Sequence, residues 1–199
     1  MPGLTDLTGL AGTTAAIAAV LLGLPGIARL RRAHPTPTLL AAVVAALVPF
    51  GALPAAGYLR GIVGDLSVTT VLLLLRSLLR PALGWPAIDA RSRLALEILV
   101  VAGGLVLYPL ALGSGPFDPY RLGYANPWFL GGLLALAVAA GLRRLTLVAW
   151  CLALAVLAWA VGVYESRNLW DYLVDPLVAA WGLGALLLRG VQALRRPRG

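Results

Sequence analysis

The sequence predicts an all-α protein, a polytopic bundle of about seven transmembrane helices. Of the 199 residues, 60% are hydrophobic and only 12% are charged. The apolar residues fall in runs of about 16 to 22, the length that crosses a bilayer core of roughly 30 Å. A soluble domain of this size could not cover so much apolar surface with so few charges. Strand-type alternation is absent, and Leu, Ala, Val and Gly dominate every run. Helices rather than a barrel therefore satisfy the backbone in lipid.

Seven apolar segments are read in order: Leu7–Ala28, Thr38–Gly57, Ile62–Leu79, Leu94–Leu112, Pro127–Leu142, Leu145–Val163 and Tyr172–Leu188. They form one transmembrane domain over residues 1–199. The start, MPGLTDLTGL, lacks the basic region of a signal peptide, so the first run is expected to be retained. The third segment is interrupted near its ends by Asp65 and Arg76, and a re-entrant course there would invert everything after it. Asn126-Pro127 reads as a helix cap followed by proline at the first helical position. Asp175-Pro176 has the same pattern. The last helix then starts at Pro176 with Leu169–Val174 in the interface, or Pro176 kinks a longer helix. Gly103-Gly104, Gly131-Gly132 and Gly182/Gly184 would let helices approach closely. No internal repeat is evident.

The arginines set an orientation. All 16 basic residues are Arg. With the N-terminus outside, the inner side receives Arg29, Arg31, Arg32, Arg76, Arg80, Arg91, Arg93, Arg143, Arg144, Arg189, Arg195, Arg196 and Arg198. The outer side receives Arg60, Arg121 and Arg167, a ratio of 13 to 3. This predicts N-out and C-in by the positive-inside rule. The acids run the other way: Asp6, Asp65, Asp118, Glu165, Asp171 and Asp175 lie outside, Asp89 and Glu97 inside. Tyr58, Tyr108, Tyr120, Tyr124, Trp128, Tyr164, Trp170 and Tyr172 gather near the outer ends as an aromatic belt. The compositional bias points to a GC-rich bacterial source and so to a bacterial inner membrane. The net charge of +8 flanks apolar runs, which assigns it to topology rather than to nucleic acid.

Three outer segments are unusually polar: 57–67, 113–126 and 164–175. Each carries at least one Arg and one acid, and in a bundle they can converge. The candidate site residues are Arg60, Asp65, Asp118, Tyr120, Arg121, Glu165, Arg167, Asn168, Asp171 and Asp175. Asp65 and Asp175 stand at the edges of apolar runs, where a carboxylate must be paired or hydrated. Arg60, Arg121 and Arg167 are the outer cations available to Asp171 and Asp175. Two readings stay open: a structural salt-bridge network, and a polar site for a lipid head group, a phosphate or a partner loop. Excess acid argues against a purely anionic ligand. A divalent cation among Asp118, Glu165, Asp171 and Asp175 matches no known loop spacing, so no metal and no cofactor is assigned.

Other chemistry is limited by what is missing. His34 is the lone histidine, in an inner loop, which excludes bis-histidine haem or a His-rich zinc site within the chain. The single cysteine, Cys151, reads as core packing. With no Lys, there is no retinal Schiff base. Ser67, Thr69 and Thr70 are expected to bond their own helix backbone. Arg76 and Glu97 are expected to pair near the inner side.

Arg60, Gly61, Asp65, Leu66 and Ser67, with Asp118, Tyr120 and Arg121 in a later loop, resemble the membrane domain of the lipoteichoic-acid-synthase and phosphoethanolamine-transferase group over about residues 40–165. That resemblance implies a membrane platform that presents lipid to an enzyme. The group has five spans and then a large extracytoplasmic hydrolase-like domain. Here another span and a basic tail follow, so the resemblance imports no catalysis. The leading functional expectation is a non-catalytic inner-membrane subunit in envelope lipid or polysaccharide metabolism. Its outer rim would dock a protein partner, in the membrane or periplasm, or hold a membrane-lipid head group. The alternatives are a small transporter or lipid flippase with Asp65 and Asp175 along its path, and an intramembrane transferase using Asp65, Glu165 or Asp171 as base.

Overall fold

A computed structural model describes residues 3–195, so Arg196 and Arg198, assigned above to the inner side, lie outside the described residues. The chain is all-α apart from one small hairpin. Three helical stretches are long and apolar enough to cross a membrane: Thr5–Gly23, Ala90–Ala111 and Pro176–Arg195. They belong to α1 (Leu4–Gly23), α6 (Ala90–Ala111) and α10 (Pro176–Arg195). The remaining apolar helices are α3 (Pro35–Leu47), α5 (Val68–Leu83), α7 (Pro127–Leu142) and α8 (Thr146–Ala160), with 13, 16, 16 and 15 residues. At about 1.5 Å per residue they reach roughly 20–24 Å, short of the bilayer core.

Proline and glycine explain where the helices depart from the predicted segments. The first segment stops early. Leu24, preceding Pro25, is extended, and Pro25 opens α2 (Pro25–Ala33), which carries Arg29, Arg31 and Arg32. The second segment is broken. Val48, preceding Pro49, leaves α3, and strands β1 (Pro49–Phe50) and β2 (Leu53–Pro54) form an antiparallel hairpin before α4 (Ala55–Val63). The third breaks again where Gly64 takes a positive φ of 73°. Ser67 then caps α5. Asp89 caps α6 through the N–H groups of Arg91 and Ser92, and Asn126 caps α7 through those of Trp128 and Phe129. The last helix does start at Pro176, after a short α9 (Trp170–Leu173).

Buried residues form two clusters. The larger joins α6, α8, α9 and α10 around Leu96, Val100, Leu107, Leu152, Tyr172 and Val178, with Cys151 in it. The smaller joins α1 and α3 around Ala18, Leu22 and Ala42. Helix α5 serves both: Leu72 faces the first cluster and Leu78 the second. Gly104 and Gly182 permit the close α6–α10 approach. A Cβ at Gly104 would stand 2.9 Å from that of Ala179, and one at Gly182 would stand 2.8 Å from Val100 Cγ2. Gly131, Gly132 and Gly184 face open space instead, so three of the six glycines in the predicted small-residue patches make no close contact. The outward faces are rich in large apolar side chains, among them Phe50, Leu112, Trp128 and Leu142. Such surfaces suit lipid rather than water.

Hydrogen bonds define two ends. At one end, Thr8 Oγ1 donates to Val163 O, and Asp175 accepts from Ser67 N. At the other, Arg31 donates to the carbonyls of Ser77 and Leu78, and Ser92 Oγ accepts from Leu147 N. Glu97 lies at this second end with 0% exposure. Its partner is not Arg76. Arg93 Nε lies 2.9 Å from Oε1 and Arg189 Nε lies 2.8 Å from Oε2. Arg93 wins because it is one helical turn away on α6, and Arg189 because α10 packs on α6. Arg76 reaches the carbonyl of Pro86 instead.

Candidate functional site: the outer acidic cavity

The three polar segments do meet. Arg60, on the last turn of α4, organises the first junction. Its Nε donates to Asp65 Oδ1 at 2.8 Å and its Nη1 to Asp6 Oδ1 at 3.0 Å. Glu165 Oε1 stands 3.9 Å from Nη2, on an exposed side chain. The carboxylates of Asp65 and Asp6 hold the guanidinium's pKa above its ordinary value. Gly9, one turn along α1, makes room for them. A Cβ there would overlap the Asp65 carboxylate and the Arg60 guanidinium.

Asn168 and Asp171 organise the second junction. Asn168 is fully buried. Its Nδ2 donates to Tyr120 O at 2.8 Å and its Oδ1 accepts from Trp170 N at 3.0 Å. Leu169 N donates to Gly123 O at 2.9 Å, and Trp170 Nε1 to Pro119 O at 2.9 Å. A Cβ at Gly123 would collide with the Asn168 amide. Asn168 is thus a clamp between two loops. Asp171 accepts from the hydroxyls of Tyr120 and Ser166.

Asp175 stands between the junctions. Its Oδ1 accepts from Val178 N and its Oδ2 from Ser67 N, both at 2.8 Å. It caps α10 and anchors the start of α5. Thr69 Oγ1 also crosses over, donating to Leu173 O at 2.6 Å rather than to its own helix as expected. Neither Asp171 nor Asp175 has an arginine partner among the described residues. Neutral donors bond to both, and Arg60, Arg121 and Arg167 are placed elsewhere. Arg60 is committed to Asp65 and Asp6. Arg121 is exposed, with Nε 3.5 Å from Asp118 Oδ2. Arg167 is exposed, and its carbonyl accepts from Trp159 Nε1. Asp118 also caps the 3-10 turn Pro119–Gly123 through Tyr120 N. The Asp118–Arg121 pair and Arg167 therefore lie outside the convergence.

A cavity of about 440 Å³ opens between the junctions. Asp65, Asp171 and Asp175 line it together with Tyr108, Tyr120 and Tyr164, and no arginine does. Tyr108 Oη is buried and has no hydrogen-bond partner among the described residues. Burial raises the pKa of Tyr120, and the hydrogen bond to Asp171 adds to the shift. Burial also raises that of Tyr164, helped by the Asp65 charge. Both phenols are therefore neutral donors at physiological pH. Carboxylate acceptors beside the Tyr108 and Tyr164 hydroxyls suit a ligand bearing hydroxyls or an ammonium group, and repel phosphate. The described residues contain no cluster of three metal-ligating groups. Asp118 and Glu165 are turned out to the surface, which separates them from Asp171 and Asp175.

Asp6, Tyr108, Tyr164 and Ser166 belong to the site and were absent from the sequence-derived set. The two tyrosines were read as belt aromatics. Ser166 was visible inside the third polar segment. Asp6, with Gly9 three residues on, carried no signal by itself. No family model, curated protein or solved structure matches this chain.

Proposed function

We propose that this chain is a non-catalytic, multi-pass subunit of a bacterial inner-membrane system for envelope lipid or polysaccharide metabolism. In this reading the seven apolar segments all cross or enter the membrane, N-out and C-in, as the 13 to 3 arginine ratio predicts. Hydrophobic thinning of the bilayer accommodates the shorter helices. The outer cavity holds a sugar- or amine-bearing lipid head group for a partner enzyme. One observation carries this: three carboxylates and three tyrosines line one cavity from which arginine is excluded. The resemblance of the stretch Arg60 to Ser67 to a lipid-presenting membrane platform supports it.

The test is purification in mild detergent, with mass spectrometry of co-purifying proteins and lipids. Wild type should bring down a partner and a glycolipid or aminolipid. Asp171→Asn with Tyr108→Phe should lose the lipid and keep the fold. A chain that always elutes alone, without lipid, would overturn the proposal. Reporter fusions at the loops near 113–126 and 143–145 should report opposite sides of the membrane.

A specific observation favours a second reading, a lipid flippase. A larger cavity on the arginine-rich side shares helices α6 and α10 with the outer one. Thr70 and Val178 line the inner cavity, and Asp175 and Pro176 the outer, so the Ser67–Asp175 hydrogen bond sits between them. Unchanged lipid translocation in Asp175→Ala would eliminate this alternative. The transferase reading draws less support, since Arg60, the arginine beside Asp65, is held by Asp65 and Asp6 and does not line the cavity, and no arginine stands beside Asp171 to hold a phosphate.

A further inference from the structure

The inner cavity differs in chemistry from the outer one. It measures about 660 Å³ and runs over α5 between α1 and α10. Ligand sites typically span about 300–1,000 Å³. Its floor and flanks are apolar: Ala16, Val20, Leu73, Leu74, Leu177 and Trp181. Val20 and Leu177 are themselves exposed, so the groove opens onto the apolar exterior of the bundle. Its polar end is made by Arg76, Arg80 and Arg93, and no acid lines it.

The three guanidiniums are anchored but not exhausted. Arg76 Nη2 donates to Pro86 O at 2.8 Å, and Arg80 Nε to Trp85 O at 3.2 Å. Arg93 Nε is taken by Glu97, and its guanidinium lies 5.7 Å from the Trp181 ring. Arg76 Nε is buried and finds no partner among the described residues. Other N–H groups on Arg80 and Arg93 carry no protein acceptor there. Glu97 is already shared with Arg189, and Asp89 is committed to capping α6. The groove therefore keeps net positive charge at one end and an apolar track at the other. Convergent arginines are fitted to the oxygens of a phosphodiester, and basic pockets between membrane helices take lipid phosphates.

We propose that this groove binds one anionic phospholipid from the leaflet on the arginine-rich side. Arg76, Arg80 and Arg93 hold its phosphodiester, and its acyl chains lie along α1 and α10. The site is separate from the outer cavity and stands whether or not that cavity holds a head group.

The experiment uses the full chain in zwitterionic detergent, titrated with phosphatidylglycerol or phosphatidylcholine and read by native mass spectrometry. Wild type should bind phosphatidylglycerol about tenfold more tightly than phosphatidylcholine. Arg76→Gln with Arg80→Gln should abolish that preference. Arg143→Gln removes an arginine from the same side but off the groove, and should leave it intact. Equal affinity for the two lipids in wild type would overturn the proposal, as would a preference that survives the double substitution. Displacement of the lipid by inorganic phosphate at matching affinity would also overturn it, because the site would then serve a soluble anion. If the double variant does not elute as a folded species, Arg80→Gln alone carries the test. Its side chain is exposed, and a several-fold loss of preference is expected.

Discussion

The two ends of this bundle are built on the same helices and reach opposite chemistry. Helices α6 and α10 contribute to both cavities. One is acidic and phenolic, and the other carries Arg76, Arg80 and Arg93, with Thr70 and Ser77, on a mostly apolar lining. Each end also buries one charge of its minority sign. At the acidic end, Arg60 is held by Asp65 and Asp6. At the arginine-rich end, Glu97 is held by Arg93 and Arg189. Each minority charge takes two majority partners, so neither lowers the charge facing the cavity below its excess. Charge is thus segregated between the cavities, with carboxylates lining one and arginines the other.

Burial depth separates the two ends, and mutation can test that. The largest effect is expected at Glu97, whose side chain is 0% exposed. Glu97→Ala leaves Arg93 and Arg189 facing each other without a counter-charge and should cost about 3 kcal/mol. Unfolding in detergent by denaturant titration measures this. Arg60 is 22% exposed on its side chain, so Arg60→Ala should cost less, about 1–2 kcal/mol. A larger loss at Arg60 than at Glu97 would break the comparison.

Glycines sharpen it next. Gly182→Val should destabilise by about 1–3 kcal/mol, since the added side chain meets Val100 and the Glu97 carbonyl. Gly184→Ala faces open space and should be neutral or stabilise by up to about 1 kcal/mol through helix propensity. The same unfolding measurement reads both. Smaller still is Arg121→Ala. The Arg121 side chain is 85% exposed, and its loss should change stability by less than about 0.5 kcal/mol.

The smallest effect is a pH dependence. Tyr120 and Tyr164 have pKa values raised in the folded state. Their stabilising contribution is fully present below the ordinary phenol value of 10.0 and falls as pH climbs above it. Thermal midpoints between pH 9 and 11 should decline less in Tyr120→Phe than in wild type.

Much of the fold was legible because proline, glycine and capping residues act locally. Asn126-Pro127 and Asp175-Pro176 marked helix starts that the structure contains. The broken second and third segments were also written in the sequence, at Pro49, Pro54 and Gly64. Apolar residues flank Pro49 and Pro54 and precede Gly64, so hydropathy runs on through breaks that the backbone makes. Of the site, convergence of the three outer segments was legible and the pairing was not. Arg121 and Arg167 looked like partners for Asp171 and Asp175. The structure gives those acids hydroxyls and backbone N–H groups instead.

Composition and arginine placement, by themselves, determined that this is an all-α protein with membrane-length apolar helices and charge divided between its ends. Those properties depend on what each residue is and on its near neighbours in the chain. Only the tertiary structure decided that Glu97 joins Arg189 rather than Arg76. It also decided that Gly9 seats α1 on the Arg60–Asp65 pair, and that two cavities lie along one helix seam. Each of these depends on which helix faces meet across dozens of residues, and short-range pattern carries no record of that.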